Sequence, residues 1–511
     1  MSVSLSCPVS VMTNFLYLSP NSLNGKPVVQ VQRISVSIGV QKPGLISYNQ
    51  TMSKGFTLWL APLLFWSLLQ FPCFANAHSN RAVKPGAVIY GVVPPFFGEG
   101  LRDVTANLDR LQELGVDILW LSPINATDDP SDISYAVTDH FAIRSDFGTI
   151  EELRELVKEA HARGLKVIMD FVPNHTSSGH PYFLDIRSRG KASRFYDYYD
   201  RDELGRITHY FHWETLPNLN YENPGVASMM ECAFRYWVVE AGIDGFRVDA
   251  AWGVRERASA FWGRLVKELR GRNPQIIMLA EAGARDSYFV ANGFDLAYDW
   301  TEKIGEWAWK AAFDSPHEAG KILHEAVTNH QDAHHTVRFL NNNDTGIRFI
   351  SRYGQAFTRA AAVVQHTVPG VPILYTGDEV GAEYDPYEDP GPISWQDKHG
   401  LRDLYRNLAD LRERLPAIHS GHFVPLPLPE NPAVYAFLRY CDHGNWALVI
   451  VNFGSHSSVQ LTLPQDLAPT FPVPVQDALT GKAAEIQVEG PATLKMNLPP
   501  MEALILIPSA D

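Results

Sequence analysis

Four short segments of this sequence end in groups that could act together on one substrate. They are Asp170-Phe171-Val172-Pro173-Asn174-His175, Gly245-Phe246-Arg247-Val248-Asp249, Leu279-Ala280-Glu281 and Phe339-Leu340-Asn341-Asn342-Asn343-Asp344. Each closes an apolar, β-prone run. Side chains alternate faces along a strand, so Arg247 and Asp249 point one way while Phe246, Val248 and Ala250 point the other. A guanidinium beside a carboxylate favours the ionised form, which a nucleophile requires. Glu281 follows Ile276-Ile277-Met278-Leu279-Ala280 with no neighbouring cation in sequence. Desolvation there would raise its pKa and suit a proton donor. Two carboxyl groups with opposed shifts across one site are the equipment of glycoside hydrolysis. The plainer alternative is a buried ion pair of Arg247 with Asp249 or Asp170. It explains any single pair and explains poorly why four segments end alike, although Asp170 itself reads as mostly structural.

Those segments need elements that bring their ends together. Eight apolar strand candidates run along the chain: Val88–Val93, Asp117–Leu121, Lys166–Phe171, Gly242–Asp249, Ile276–Glu281, Phe294–Tyr298, Thr336–Leu340 and Val371–Tyr375. Helical patterns separate them, including Leu101–Leu114, Ala227–Glu240, Glu256–Arg270 and Leu401–Leu415. Near-continuous apolar strands alternating with helices predict a parallel sheet, and eight of them a closed (β/α)8 TIM barrel. Thr149 followed by Glu152 predicts a capping box ahead of an amphipathic helix that Gly164 stops. In such a barrel the carboxyl ends of the strands carry the active site. About 50 residues rich in Tyr, His, Asp and Gly follow the third strand, too long for a simple connection. Positions 176–223 therefore read as a small inserted domain within a barrel spanning 78–424. Beyond 425 the pattern turns to alternating strands (Ala433–Tyr440, Trp446–Asn452, Ser458–Leu463, Leu494–Leu498, Ala503–Ile507), which predicts a C-terminal antiparallel β-sandwich over 425–511.

The formal net charge of −14 argues against nucleic acid and anionic membrane surfaces as partners, both of which attract basic proteins. Residues 1–77 carry no Asp or Glu. Within them Lys54 precedes an apolar run from Phe56 to about Leu69 and then Ala75-Asn76-Ala77. That order is a secretory signal peptide, with translation starting at Met52 as the simplest account of what precedes it. A membrane anchor is the alternative, opposed by Pro62, Pro72 and the cleavage pattern. The mature protein is expected to be secreted or periplasmic, with no membrane association. Cys232 and Cys441 stand far apart and read as buried thiols, with a single bridge as the lesser alternative, rather than a disulfide framework or metal motif.

The four segments also carry a family resemblance. From about residue 85 onward the chain resembles the α-amylase family, glycoside hydrolase family 13. Supporting matches are Leu216-Pro217-Asn218-Leu219-Asn220, Gly370-Val371-Pro372 and Tyr375-Thr376-Gly377-Asp378-Glu379. The resemblance implies Asp249 as nucleophile, Glu281 as acid/base and Asp344 as a third carboxylate gripping sugar hydroxyls. It implies substrate contacts from Arg247, His175 and Asp170, with Tyr135 stacking under the sugar ring. The expected activity is retaining double-displacement hydrolysis of α-1,4-linked glucans or maltooligosaccharides. A transglycosylase or isomerase of the family would use the same intermediate; a non-catalytic member is the third reading, opposed by the intact carboxylates. Asn343 stands where the family has a histidine contact. Asn174 matches a calcium ligand, but Gly253 replaces a histidine of that site, so calcium is expected to be unnecessary and its site incomplete. Ser134-Tyr135-Ala136 departs from the Gly-Tyr-Asp of exo-acting α-glucosidases and leans toward internal or oligosaccharide cleavage. Tyr210, Phe211, His212 and Trp213 form either a sugar platform or a mini-core of the long loop.

Overall fold

A computed structural model describes residues 82–509 apart from 329–332, 443–444, 465–473 and 490–491. The expected signal peptide lies outside them. Eight parallel strands close into a barrel: β1 (Ile89–Val92), β2 (Ile118–Leu121), β3 (Lys166–Phe171), β4 (Gly245–Val248), β5 (Ile277–Gly283), β6 (Leu296–Tyr298), β7 (Thr336–Phe339) and β8 (Val371–Tyr375). Their order round the barrel follows the chain, and β1 pairs with β8 to close it.

Side-chain alternation separates two apolar cores, as the strand pattern requires. Ile168, Ile277, Leu279, Tyr298, Val337, Phe339 and Ile373 fill the barrel interior. Val167, Met169, Phe171, Phe246, Val248 and Met278 face the surrounding helices. Arg247 and Asp249 therefore take the inner side, as expected, and register sets Asp170 opposite Arg247 and Arg247 opposite Leu279.

The helix Ile150–Ala162 begins at the expected capping box, with Thr149 and Glu152 bonded reciprocally. Two expected helices are broken. Leu101–Leu114 is interrupted at Asn107, whose side chain donates back to the Asp103 carbonyl; such local bonds compete with the helical ladder. Glu256–Arg270 is instead Ala251–Arg257 followed by Phe261–Arg272. The earlier piece starts directly after Asp249. The excursion after β3 holds the helix Pro181–Arg189 and folds back through isolated bridges, His175 with Asn218 and Tyr199 with Leu219.

Beyond the barrel, strands β9 (His422–Pro425), β10 (Val434–Asp442), β11 (Asn445–Asn452), β12 (Ser457–Thr462), β13 (Val475–Asp477), β14 (Gln487–Glu489), β15 (Thr493–Leu498) and β16 (Ala503–Pro508) form two antiparallel sheets, ordered β9-β10-β11-β16-β13 and β12-β15-β14. Leu438, Leu448 and Ile450 of one sheet pack with Val459, Leu461 and Met496 of the other. Cys232 and Cys441 are not buried thiols: both are partly exposed and disulfide-bonded. Among the described residues no helix is long and apolar enough to cross a membrane.

Candidate active site

Arg247 is the hub. Its guanidinium is fully buried and donates through Nη1 to both oxygens of Asp170 (2.9 and 3.2 Å) and to Asp249 Oδ1 (3.0 Å). Nη2 lies 3.2 Å from Glu281 Oε2, and Nε donates to the Tyr298 hydroxyl at 3.2 Å. One cation thus serves three carboxylates. The cation expected to be missing near Glu281 arrives from the adjacent strand.

Asp170, expected among the substrate contacts, is sealed beneath them. Besides Arg247 it accepts from Trp120 Nε1 (3.2 Å) and the Tyr135 hydroxyl (3.1 Å) and has no exposed surface. It holds Tyr135 and Arg247 in place. Tyr135 is half-buried, its ring 5.6 Å from the Arg247 guanidinium.

Asp249 and Glu281 share the Arg247 guanidinium, at 3.0 Å from Asp249 Oδ1 and 3.2 Å from Glu281 Oε2. Glu281 Oε2 accepts the Ala250 N–H at 2.6 Å. That donor is aimed by a left-handed backbone at Ala250 (φ 43°), uncommon for a residue with a Cβ and of a kind that clusters at functional sites. Asp249 Oδ2 is buried and makes no hydrogen bond. Arg247 was expected to hold Asp249 low. Burial, and next the Glu281 carboxylate, instead push it well above the usual carboxylate range, against the pull of Arg247. Burial is the larger effect, and Arg247, which also serves Asp170 and Glu281, does not offset it.

Asp344 remains open to solvent at the mouth, and desolvation by the cleft walls, then Glu281, raises its pKa. Its backbone N–H donates to Asn342 Oδ1 (2.8 Å), which fixes the turn after β7. Asn343 Nδ2 donates to Asp344 Oδ1 (3.0 Å) and to the Tyr387 hydroxyl (3.2 Å). His175 is fully buried, and burial holds its imidazole down at about 3, so it is neutral. Its Nδ1 faces Asn174 Nδ2 at 3.1 Å, and its Nε2 makes no hydrogen bond.

His175 stacks on Tyr210 at 4.9 Å, and Tyr210 continues to Trp213 and Trp252 at 5.4 and 6.1 Å. Phe211 and Trp213 are 56% and 46% exposed, so the loop aromatics form a wall beside the site and not a mini-core.

The residues do not fit a calcium ion. Asn174 Oδ1 accepts from Arg257 Nη2, the Asn174 carbonyl accepts from the same nitrogen at 3.2 Å, and the Leu219 carbonyl from Arg257 Nε at 3.2 Å. A Cβ at Gly253 would collide with Asn174 Oδ1. The oxygens that could face a metal face a guanidinium instead. Arg257, Tyr298, Tyr387 and Trp252 were not singled out from sequence. An aromatic or cation at each position carries no motif, and only the fold brings them to the site.

A closed barrel with carboxylates at β4, β5 and β7 over one arginine is the frame of a glycosidase. Residues 73–414 match the family described as "Alpha amylase, catalytic domain", and the chain belongs to the α-amylase family of glycoside hydrolases. It is 30% identical over 439 residues to neopullulanase 2 of Thermoactinomyces vulgaris, covering 80% of this chain and 71% of that one. It is 30% identical over 431 residues to a cyclomaltodextrinase of a Bacillus species, covering 77% and 73%. Among solved structures, a maltogenic α-amylase of Thermotoga neapolitana shares the fold with a TM-score of 0.69 at 23% identity, covering 82% of this chain and 98% of that one.

Proposed function

We propose that this enzyme hydrolyses α-1,4-linked glucans or maltooligosaccharides with retention, using Asp249 as nucleophile and Glu281 as acid/base. The carrying observation is that one guanidinium spans both carboxyls, Arg247 Nη1 lying 3.0 Å from Asp249 Oδ1 and Nη2 3.2 Å from Glu281 Oε2, which supports the close spacing of a retaining pair. Asp249 Oδ2, buried and unbonded, attacks the anomeric carbon, and the C1–O bond breaks as Glu281 delivers its proton to the leaving oxygen. Glu281, now a carboxylate, removes a proton from water as that water attacks C1 and releases Asp249. Asp344, at the mouth, is placed to bind hydroxyls of the distorted ring. The neutral His175 presents Nε2 as an uncharged sugar contact, Asn343 stands across the cleft on the β7 loop, and Tyr135 offers its ring beneath the sugar.

The names of the relatives, neopullulanase and cyclomaltodextrinase, support short or cyclic α-glucans as substrates. The exposed aromatic wall supports the same reading, since flat apolar ring faces pack well on pyranose faces. We place the mature protein outside the cytoplasm on the strength of the N-terminal pattern.

The test is product analysis by NMR immediately after mixing with maltooligosaccharides or cyclodextrin. An α-configured first product is expected; a β-configured one would end the assignment. Asp249→Asn should abolish turnover. Glu281→Gln should impair natural glucans by roughly 10²- to 10⁴-fold, the usual worth of a positioned acid, while sparing the first step on an activated aryl glycoside. Equal impairment of both substrates would remove Glu281 from the acid role.

A further inference from the structure

Arg257 ends the short helix Ala251–Arg257 that leaves β4 immediately behind Asp249. Its guanidinium reaches across to two other parts of the chain. One is Asn174, at the exit of β3, where it meets both the side-chain and the main-chain oxygen. The other is the Leu219 carbonyl, on the returning limb of the long excursion. The same limb is tied to Asn174 by the Leu219 N–H, which donates to the Asn174 carbonyl at 3.0 Å. Asp200, in the excursion, adds a favourable negative charge.

We infer that Arg257 is a built-in cation that pins the β3 exit, the excursion and the helix after the nucleophile together, in the place where a calcium ion would otherwise be needed, and that it positions His175 for substrate. Three carbonyl-type oxygens converge on a guanidinium whose positive charge is covalently fixed. A calcium ion needs about six to eight oxygens at 2.3–2.6 Å. It would have to expel Arg257 to reach these three and would meet its charge while doing so.

The consequence passes to the substrate through one amide. Donation from Arg257 obliges the Asn174 oxygen to face the guanidinium, so the Asn174 NH2 faces His175 Nδ1 and Asn218 Oδ1. An N–H aimed at Nδ1 makes that nitrogen the acceptor and leaves the imidazole proton on Nε2. Nε2 is the buried nitrogen without a hydrogen bond in the protein. His175 is thereby held with Nε2 as its donor nitrogen. Arg257 is a positioning residue: it touches no substrate atom. Only this His175 step rests on the proposed reaction; the calcium arm does not.

The experiment uses the full mature enzyme with two substitutions. Arg257→Met removes the charge and the donors at nearly constant length, and Arg257→Lys keeps the charge. Calcium-binding calorimetry and thermal unfolding, each with chelator and with calcium chloride, should show no calcium heat and no Tm shift for the native protein. Arg257→Met should lower Tm and reduce kcat/KM by roughly 10- to 100-fold, the range expected when a contact group is displaced by about 1 Å. Arg257→Lys should recover part of both. In Arg257→Ala, millimolar ethylguanidinium should restore activity, which a general loss of packing would not allow. Calcium uptake with a Tm rise in the native protein would overturn the cation role, as would Arg257→Met with native Tm and kcat/KM. Native calcium indifference with no guanidinium rescue would overturn the link to His175 and leave the reaction assignment standing.

Discussion

At Asp249 stability and chemistry are opposed. Its carboxyl is buried and unbonded at Oδ2, and burial, then Glu281, raises its pKa in the fold well above the usual carboxylate range. A carboxyl whose folded pKa is raised binds its proton more tightly folded than unfolded. Folding stability is therefore lost as pH rises above about 4 and toward the folded value. Asp249→Asn removes that loss while removing the nucleophile. The inactive variant should melt higher than the native enzyme near pH 7, by about 1 °C for each 1 kcal/mol gained in a folded chain of this size. The difference should shrink toward zero near pH 3, where both states of Asp249 are protonated. Calorimetry at several pH values checks this, and an inactive variant that melts lower at pH 7 would contradict it. In sequence Arg247 is offered to Asp249 or to Asp170, and the structure gives it to both and to Glu281. The adjacent pair Arg247-x-Asp249 is visible in sequence, but its sharing with Asp170 and Glu281 is a product of register across three strands.

Elements show the same division. The eight strands were legible because buried parallel strands leave long apolar runs, and every barrel strand overlaps its expected range. Three short strands of the sandwich, β9, β13 and β14, were not: three or four residues are too few to show a period. Contacts were the least legible feature. Arg257 meets Asn174 from 83 positions away and Asn343 meets Tyr387 from 44, distances over which no local pattern extends. Between β4 and β5 the strands approach so closely at Gly245 that a Cβ would strike the Ile277 backbone. Gly245→Ala should cost about 3 kcal/mol or more through overpacking and reduce both Tm and activity. A variant with native melting would show that the two strands have slack.

On the scale of the whole molecule, the sandwich is a partner of the barrel wall. Phe437, Val449 and Ile505 join the core of the barrel helices, and Phe453 packs on Phe313 and Phe357. At Gly320, on the helix Ala319–Thr328, a Cβ would collide with the Val434 backbone of β10. Gly320→Val should prise the two apart and lower Tm by several degrees, on the order of 2–3 kcal/mol for a strained insertion, while kcat/KM at 25 °C stays near native. Equal loss of activity at 25 °C would mean that the sandwich shapes the cleft. The barrel seam is the other long-range junction. β1 meets β8 with Val93 N–H donating to Thr376 Oγ1, 283 positions apart in sequence. During synthesis at about 5–20 residues per second, the first strand waits roughly 15–60 s for the strand that closes the ring. Throughout that interval the nascent sheet has two open edges able to pair with other chains. Closure of the ring, wherever the chain folds, is therefore the step at which this protein is most open to pairing with other chains.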